Sequence, residues 1–270
     1  MKSDVFSIYK KGDMVYLRHK IFENIPNVNH AVSTRHGGVS QGEHTRSMNL
    51  GFNTCDTKEN VTENYRIFCK MAGFPVERLV FAYQTHSANV REVTDADCGK
   101  GIFRDKDYTD IDALVTNCKN VPLVIHTADC VPVSFFDPVN IAIGNAHCGH
   151  KGTYLRLAVK TLKAMQDCYG TKPKDVICSI GPAICDRCYE VSKDLYEKFK
   201  EEFGYDDAIY IKDNKYYLNL MEINRHQLAD IGVTKISVSD LCTCCEKEDL
   251  FSHRGLGIGR GLLSSVISIK

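Results

Sequence analysis

The chain has no tryptophan and no net charge: 34 Lys+Arg stand against 34 Asp+Glu in 270 residues, with a pI near 7.1. Balanced charge argues against electrostatic capture of a polyanion or an anionic surface, so neither nucleic acid nor membrane is expected as a partner. No apolar run is long enough to cross a bilayer, and the opening stretch MKSDVFSIYKKGDMVYLRHK lacks the apolar core of a signal peptide. A cytoplasmic location is the expectation. Internal repeats, low-complexity tracts and Pro/Gly/Ser linkers are also missing, which favours a single domain over residues 1–270. Cysteine, by contrast, is abundant. Its 13 residues are odd in number and follow no framework spacing, and in a reducing compartment such thiols stay free or bind metal. Disulfides are not expected.

Apolar periodicity gives a coarse architecture. Strand-like runs occur at Val15–Arg18, Ala31–Thr34, Leu79–Tyr83, Asn89–Val93, Ala113–Thr116, Pro122–Ile125, Cys130–Phe136 and Ile141–Ala146. After Asp56, the spacing of Val61, Tyr65, Phe68 and Ala72 predicts a helix that closes at Gly73. Further helices are predicted over Thr153–Tyr169, after an N-cap at Ser192, and after an N-cap at Asn219. Strands Val176–Ile180 and Lys235–Val238 complete the set. Strands outnumber helices and do not alternate with them, so the expected fold class is α/β, a mixed β-sheet sandwich flanked by helices.

Four segments place reactive groups at the ends of apolar runs, beside small residues: STRHGGVS (33–40), YQTHSAN (83–89), HTADCVPV (126–133) and GNAHCGHKG (144–152). Strand ends meeting loops are where sites are built. From spacing alone the metal-ligand candidates are His86, His126, Cys130, His147, Cys148 and His150. No HExxH, paired CxxC or HxH pattern organises them, and the local reading stops there.

Taken together, TRHGGVS, SMNLGFN, QTHSANV, DALVTN, HTADCVPV, AHCGHKG, GPAICDRCYEV and SHRGLGIGR resemble the YfiH/laccase-domain family. Its members are described as purine nucleoside phosphorylases, polyphenol oxidases or peptidoglycan editing factors. The eight segments fall in order from about residue 30 to residue 260. The resemblance implies one α/β domain similar to certain cysteine-dependent deamidating toxins. It also implies a metal held by His86, Cys130 and His147. Two imidazoles and a thiolate suit Zn²⁺ and leave a fourth position open, as in a catalytic site. Cu²⁺ would compete for the same ligands.

The implied reaction is zinc-dependent phosphorolysis of adenosine, inosine, guanosine and methylthioadenosine, with deamination of adenosine beside it. The partners are then a nucleoside and phosphate, handled by a monomer or small homo-oligomer. Arg35 is the phosphate candidate because a guanidinium grips two oxygens, and a helix starting near Thr153 would aim N–H groups at the same region. Where the family carries Trp-Arg after AHAG, this chain has His150-Lys151. Lys151 keeps the charge without the planar fork, and His150 is a proton shuttle or a surface residue. Asp129, beside Cys130, would orient the site, act as a base, or cap a turn. Arg254 keeps a basic position that the family also has.

Two alternatives use the same atoms. Cys130 and His147 would form a thiol hydrolase dyad acting on cell-wall precursors, or copper would make the protein a polyphenol oxidase. Ten histidines without an HxH pair are a poor basis for a multicopper cluster. Finally, Cys185-x-x-Cys188 and Cys242-x-Cys244-Cys245 offer enough thiolates for a structural zinc if the fold unites them, with free thiols the default expectation.

Overall fold

The computed structural model describes residues 1–270. The chain opens with β1 (Phe6–Lys11), β2 (Met14–His19) and β3 (Val28–Ser33), followed by helix α1 (Lys58–Ala72). Then come β4 (Val80–Phe81), β5 (Val90–Glu92), β6 (Ala113–Thr116), β7 (Leu123–Thr127), β8 (Val131–Asp137) and β9 (Ala142–Cys148). Helices α2 (His150–Tyr154) and α3 (Leu157–Tyr169) precede β10 (Ile177–Ile180), β11 (Glu190–Val191) and α4 (Lys193–Phe203). The last part holds β12 (Ile209–Lys212), β13 (Lys215–Leu218), α5 (Leu220–Asp230), β14 (Lys235–Val238), α6 (His253–Leu256) and β15 (Leu263–Ile269).

Two six-stranded sheets carry the fold, ordered β1-β2-β3-β15-β7-β4 and β14-β10-β8-β9-β6-β5, with a small third sheet β11-β13-β12. Alternation of side chains along each strand decides the layers. Ile125 and Ile267 of the first sheet meet Leu114, Phe136 and Ile143 of the second in an apolar inter-sheet core. The opposite faces turn outward. Val124 and Val266 pack under Val61, Tyr65 and Phe68 of α1, while Val133, Phe135 and Ala146 are covered by Leu162 and Met165 of α3 and by Leu228 of α5. Each large apolar side chain buried in this way contributes roughly 1.5–3 kcal/mol. The result is the expected mixed sandwich flanked by helices.

Helix α1 follows its sequence signals closely. The Thr57 side chain caps its start by accepting from the Asn60 amide, and Gly73 closes it in the left-handed region at φ 79°. Ser192 and Asn219 cap α4 and α5 in the same way.

The helix expected to begin near Thr153 differs. Helical turns start at His150, stop at Leu155, and restart at Leu157 after Arg156 takes a left-handed conformation at φ 58°. The break turns Leu157, Ala158, Leu162 and Met165 onto the sheet. No continuous helix therefore projects N–H groups from Thr153, and that part of the expected phosphate pocket is withdrawn.

Strand β15 was not expected at all, yet it lies in the middle of the first sheet between β3 and β7. Its serines hide it. Ser264 bonds Tyr65 Oη at 2.7 Å and Ser265 lies 3.4 Å from Ser134 Oγ, so buried hydroxyls find partners that no local pattern reveals.

Candidate metal centre

A cavity of about 550 Å³ opens at one end of the sandwich, where β7 and β9 finish and the loops after β4 and β7 cross. His86, Cys130 and His147 form one wall of it. Each reaches the wall from a different element. His147 is the penultimate residue of β9 and faces inward; its neighbour Cys148 points to the other face, into the core beneath α3. Cys130 immediately precedes β8. His86 sits in a loop at φ 63°, an unusual conformation for a residue with a side chain.

Asp112, fully buried just before β6, fixes both histidines. Its Oδ1 accepts from His86 N at 3.1 Å and from His147 Nδ1 at 2.8 Å. Its Oδ2 accepts from Thr85 N at 3.0 Å, from Ser87 N at 2.8 Å and from Ser87 Oγ at 2.9 Å. Burial opposes its charge, but the bonds from His147 and the loop amides outweigh burial and hold the carboxyl at about 2. The loop is also pinned to β7: Gln84 Nε2 donates to His126 O at 2.7 Å and His126 N donates to Gln84 Oε1 at 2.7 Å.

With Nδ1–H committed to Asp112, His147 presents Nε2 toward the cavity, and a carboxylate behind a histidine is the usual support of a metal ligand. One ligand atom each from His86, Cys130 and His147 lies within 4.8 Å of the others, and Cys130 Sγ is 3.8 Å from His86 Nε2. Tetrahedral zinc bonded at about 2.0–2.1 Å to nitrogen and 2.3 Å to sulfur sets such ligands ~3.5 Å apart. The donor set fits. Gly149 leaves the room for it: a Cβ there would stand 3.0 Å from Cys130 Sγ and 3.0 Å from His86 Cδ2. Without metal, burial would raise the Cys130 thiol, but charge from His147 brings it down to about 6. Burial likewise opposes charge on His147, and the Cys130 thiolate and Asp112 raise it to about 9.

The other sequence candidates separate. His126 lines the cavity, but its Nε2 is 2.6 Å from Tyr65 Oη, and burial lowers it to about 3, so it is a neutral partner of α1. His150 is half-buried at the first turn of α2, its pKa lowered by burial and then by His86 and Lys151. Lys151 is exposed on the same turn and outside the cavity lining.

Arg35 also lies outside that lining. Its guanidinium donates to Lys247 O at 2.6 Å and to Arg46 O at 3.3 Å and covers the Phe251 ring. Arg254 ties two loops, donating to Cys188 O at 2.9 Å and Glu190 O at 3.2 Å. Asp129 accepts from Thr243 Oγ1 at 2.6 Å on one oxygen and from Arg254 N at 2.6 Å on the other, at φ 89°. Both oxygens are occupied, so it sets the direction of the chain entering Cys130.

Three residues carry no local sequence signal, the buried Asp112 behind the histidines and the cavity-lining Lys106 and Arg260. Asp112 opens the DALVTN motif, and a lone acid before a strand carries no local signal of five hydrogen bonds. Lys106 donates to Ala82 O at 3.1 Å over the Tyr83 ring and is lowered by burial. Arg260 ends SHRGLGIGR, and its Nε is buried without a hydrogen-bond partner. Phe52, Phe81, Ile102 and Leu262 supply apolar surface between these polar ends.

A family model described as multi-copper polyphenol oxidoreductase laccase matches residues 29–270. The chain is 35% identical over 246 residues to purine nucleoside phosphorylase YlmD of Bacillus subtilis, covering 88% of this chain and 87% of that protein. It is 33% identical over 264 residues to a purine nucleoside phosphorylase of Bacteroides thetaiotaomicron, covering 95% and 97%. The crystal structure of the hypothetical protein YfiH from Bacillus licheniformis superposes with a TM-score of 0.90 at 34% identity, covering 99% of this chain and 100% of that one.

Proposed function

The chain belongs to the multi-copper polyphenol oxidoreductase laccase family, and on that premise we propose that it is a zinc-dependent purine nucleoside phosphorylase that also deaminates adenosine. The observation that carries the reading is the presence, in the lining of one cavity, of the His86–Cys130–His147 ligand group and of Arg260, whose buried Nε has no hydrogen-bond partner. A volume near 550 Å³ suits a nucleoside with phosphate beside it. Relatives named purine nucleoside phosphorylase support the substrate class.

The residues divide the work. Phe52, only partly buried, offers a ring face for the purine, with the buried Phe81 packed behind it. Arg260, rather than Arg35, would hold the phosphate: its buried Nε needs an acceptor, and phosphate supplies one in a charge-assisted bond. Lys106, also in the lining, adds positive charge. In phosphorolysis a phosphate oxygen bonds to C1′ of the ribose as the C1′–N9 bond breaks, and the bonding pair leaves with the base. His150, on the first turn of α2 outside the cavity lining but near enough to feel the charge of His86, is the side chain proposed to move the proton that the departing base takes up. Zinc held by His86, Cys130 and His147 would supply a Lewis acid. Asp112 keeps His147 in the tautomer that faces it. Adenosine, inosine, guanosine and methylthioadenosine share the purine and ribose that this arrangement addresses.

A second reading rests on a specific arrangement: Cys130, His147 and the buried Asp112 stand in the order thiol, imidazole, carboxylate of a nucleophilic triad. Used without metal, they would make a thiol hydrolase acting on cell-wall precursors. Copper would enter through the same three ligands rather than a separate cluster.

The two readings part on zinc and on alkylation. The first expects zinc that is lost on Cys130→Ala, and base release from nucleosides that His147→Ala abolishes. Active, zinc-free protein inactivated by iodoacetamide at Cys130 would replace it with the second.

A further inference from the structure

The fold unites Cys185, Cys188, Cys242 and Cys245 in the loops that follow β10 and β14, with one sulfur from each within 4.8 Å of the rest. Cys188 and Cys245 Sγ are 3.5 Å apart. Tetrahedral zinc with four thiolates at about 2.3 Å separates the sulfurs by ~3.8 Å, so the group stands close to that geometry. A disulfide, at about 2.05 Å, is a different arrangement.

The two Cys-x-x-Cys turns converge as knuckles. The amide of Cys245 donates back to Cys242 Sγ at 3.4 Å, and the amide of Cys185 donates to the same sulfur at 3.2 Å. Peptide N–H groups aimed at sulfur stabilise thiolate and fix ligand direction. Cys244, in the same stretch, is outside the group. We propose that these four cysteines bind a structural zinc ion, separate from the His86–Cys130–His147 centre.

Loading forms four Zn–S bonds, releases to solvent the proton of each cysteine still in its S–H form, and changes no oxidation state. The consequence is local rigidity behind the cavity. Thr243, between two of the ligands, donates to Asp129 Oδ1, and Arg254 holds Cys188 O while its own amide bonds Asp129 Oδ2. Ile184 N, one residue before the first ligand, donates to Asp129 O at 3.0 Å. The clamp therefore fixes Asp129 from several sides, and Asp129 precedes Cys130.

Metal analysis of the purified full-length protein tests this apart from activity. About two zinc equivalents per chain are expected in wild type, about one in His86→Ala, and about one in Cys188→Ser/Cys245→Ser, with Cys244→Ser keeping both. If only the cavity reading fails, wild type carries about one equivalent that His86→Ala leaves in place and the double cysteine variant loses. A His86→Ala protein without zinc overturns the proposal, as does purified protein whose absorbance reports iron. If the double variant does not fold, cobalt-loaded His86→Ala decides. Strong thiolate-to-cobalt charge transfer supports four sulfur ligands, and its absence refutes them.

Discussion

Replacing Asp112 with asparagine changes one oxygen to an NH₂ group in a carboxylate that accepts from Thr85, His86, Ser87 and His147. The amide has two ways to sit, and each fails differently. With nitrogen in the Oδ2 position, the amides of Thr85 and Ser87 face a donor. At these partly exposed groups the lost bonds cost about 1 kcal/mol each, or ~2 kcal/mol together. With nitrogen in the Oδ1 position, His147 Nδ1 must become an acceptor. Its proton then moves to Nε2, which is the atom offered to the metal. Either way zinc affinity should fall ~10–100-fold, equivalent to about 1.4–2.7 kcal/mol. Titration against a competing chelator measures the affinity, and thermal unfolding of the zinc-free protein measures the structural share. Asp112→Asn protein with zinc affinity within about twofold of wild type and unchanged turnover would refute the assigned role.

Other expectations follow from single contacts. Gly149→Ala adds a Cβ at 3.0 Å from both Cys130 Sγ and His86 Cδ2, and its φ of −68° tolerates alanine. Zinc affinity should drop about tenfold or more while the zinc-free protein keeps its melting temperature; a metal-selective loss is the outcome to look for in paired titration and calorimetry. Arg260→Ala should raise the KM for phosphate about tenfold or more, leaving the melting temperature near wild type, and an unchanged KM would remove Arg260 from the anion site.

His19 is fully buried with neither ring nitrogen bonded, and burial lowers it to about 4. Its folded pKa lies below the unfolded value near 6.5, so it contributes full stability above about pH 6.5 and loses it as pH falls toward about 4. Between about pH 7.5 and pH 5 the loss is ~2 kcal/mol, and His19→Phe should flatten that slope in denaturant titrations. A variant with the wild-type slope would contradict the buried-neutral assignment.

Periodicity and caps are enough for α1, α4, α5 and most strands, because their apolar spacing, the Gly73 stop and the Ser192 and Asn219 caps are local, although the Thr57 cap of α1 emerges only in the structure. The segments carrying His86, Cys130 and His147 are legible as candidates at or near strand ends beside small residues, but spacing alone offers His126, Cys148 and His150 equally, and only the family resemblance narrows the set. What the sequence concealed depends on distant partners. Buried serines mask β15, and the left-handed Arg156 divides a continuous helical pattern. Asp112 and Arg260 acquire meaning only when 35 residues of separation close to a 2.8 Å bond, or when a guanidinium nitrogen is buried alone. Conversely Arg35, attractive beside a glycine turn, spends its donors on backbone carbonyls.

The most direct test follows phosphorus. Wild-type protein incubated with inosine and inorganic phosphate should convert phosphate to ribose-1-phosphate, seen by phosphorus NMR, one for one with released hypoxanthine, and His147→Ala should show neither product. Hypoxanthine appearing with free ribose and unconsumed phosphate, or no base released by folded, zinc-loaded wild type, would contradict the account.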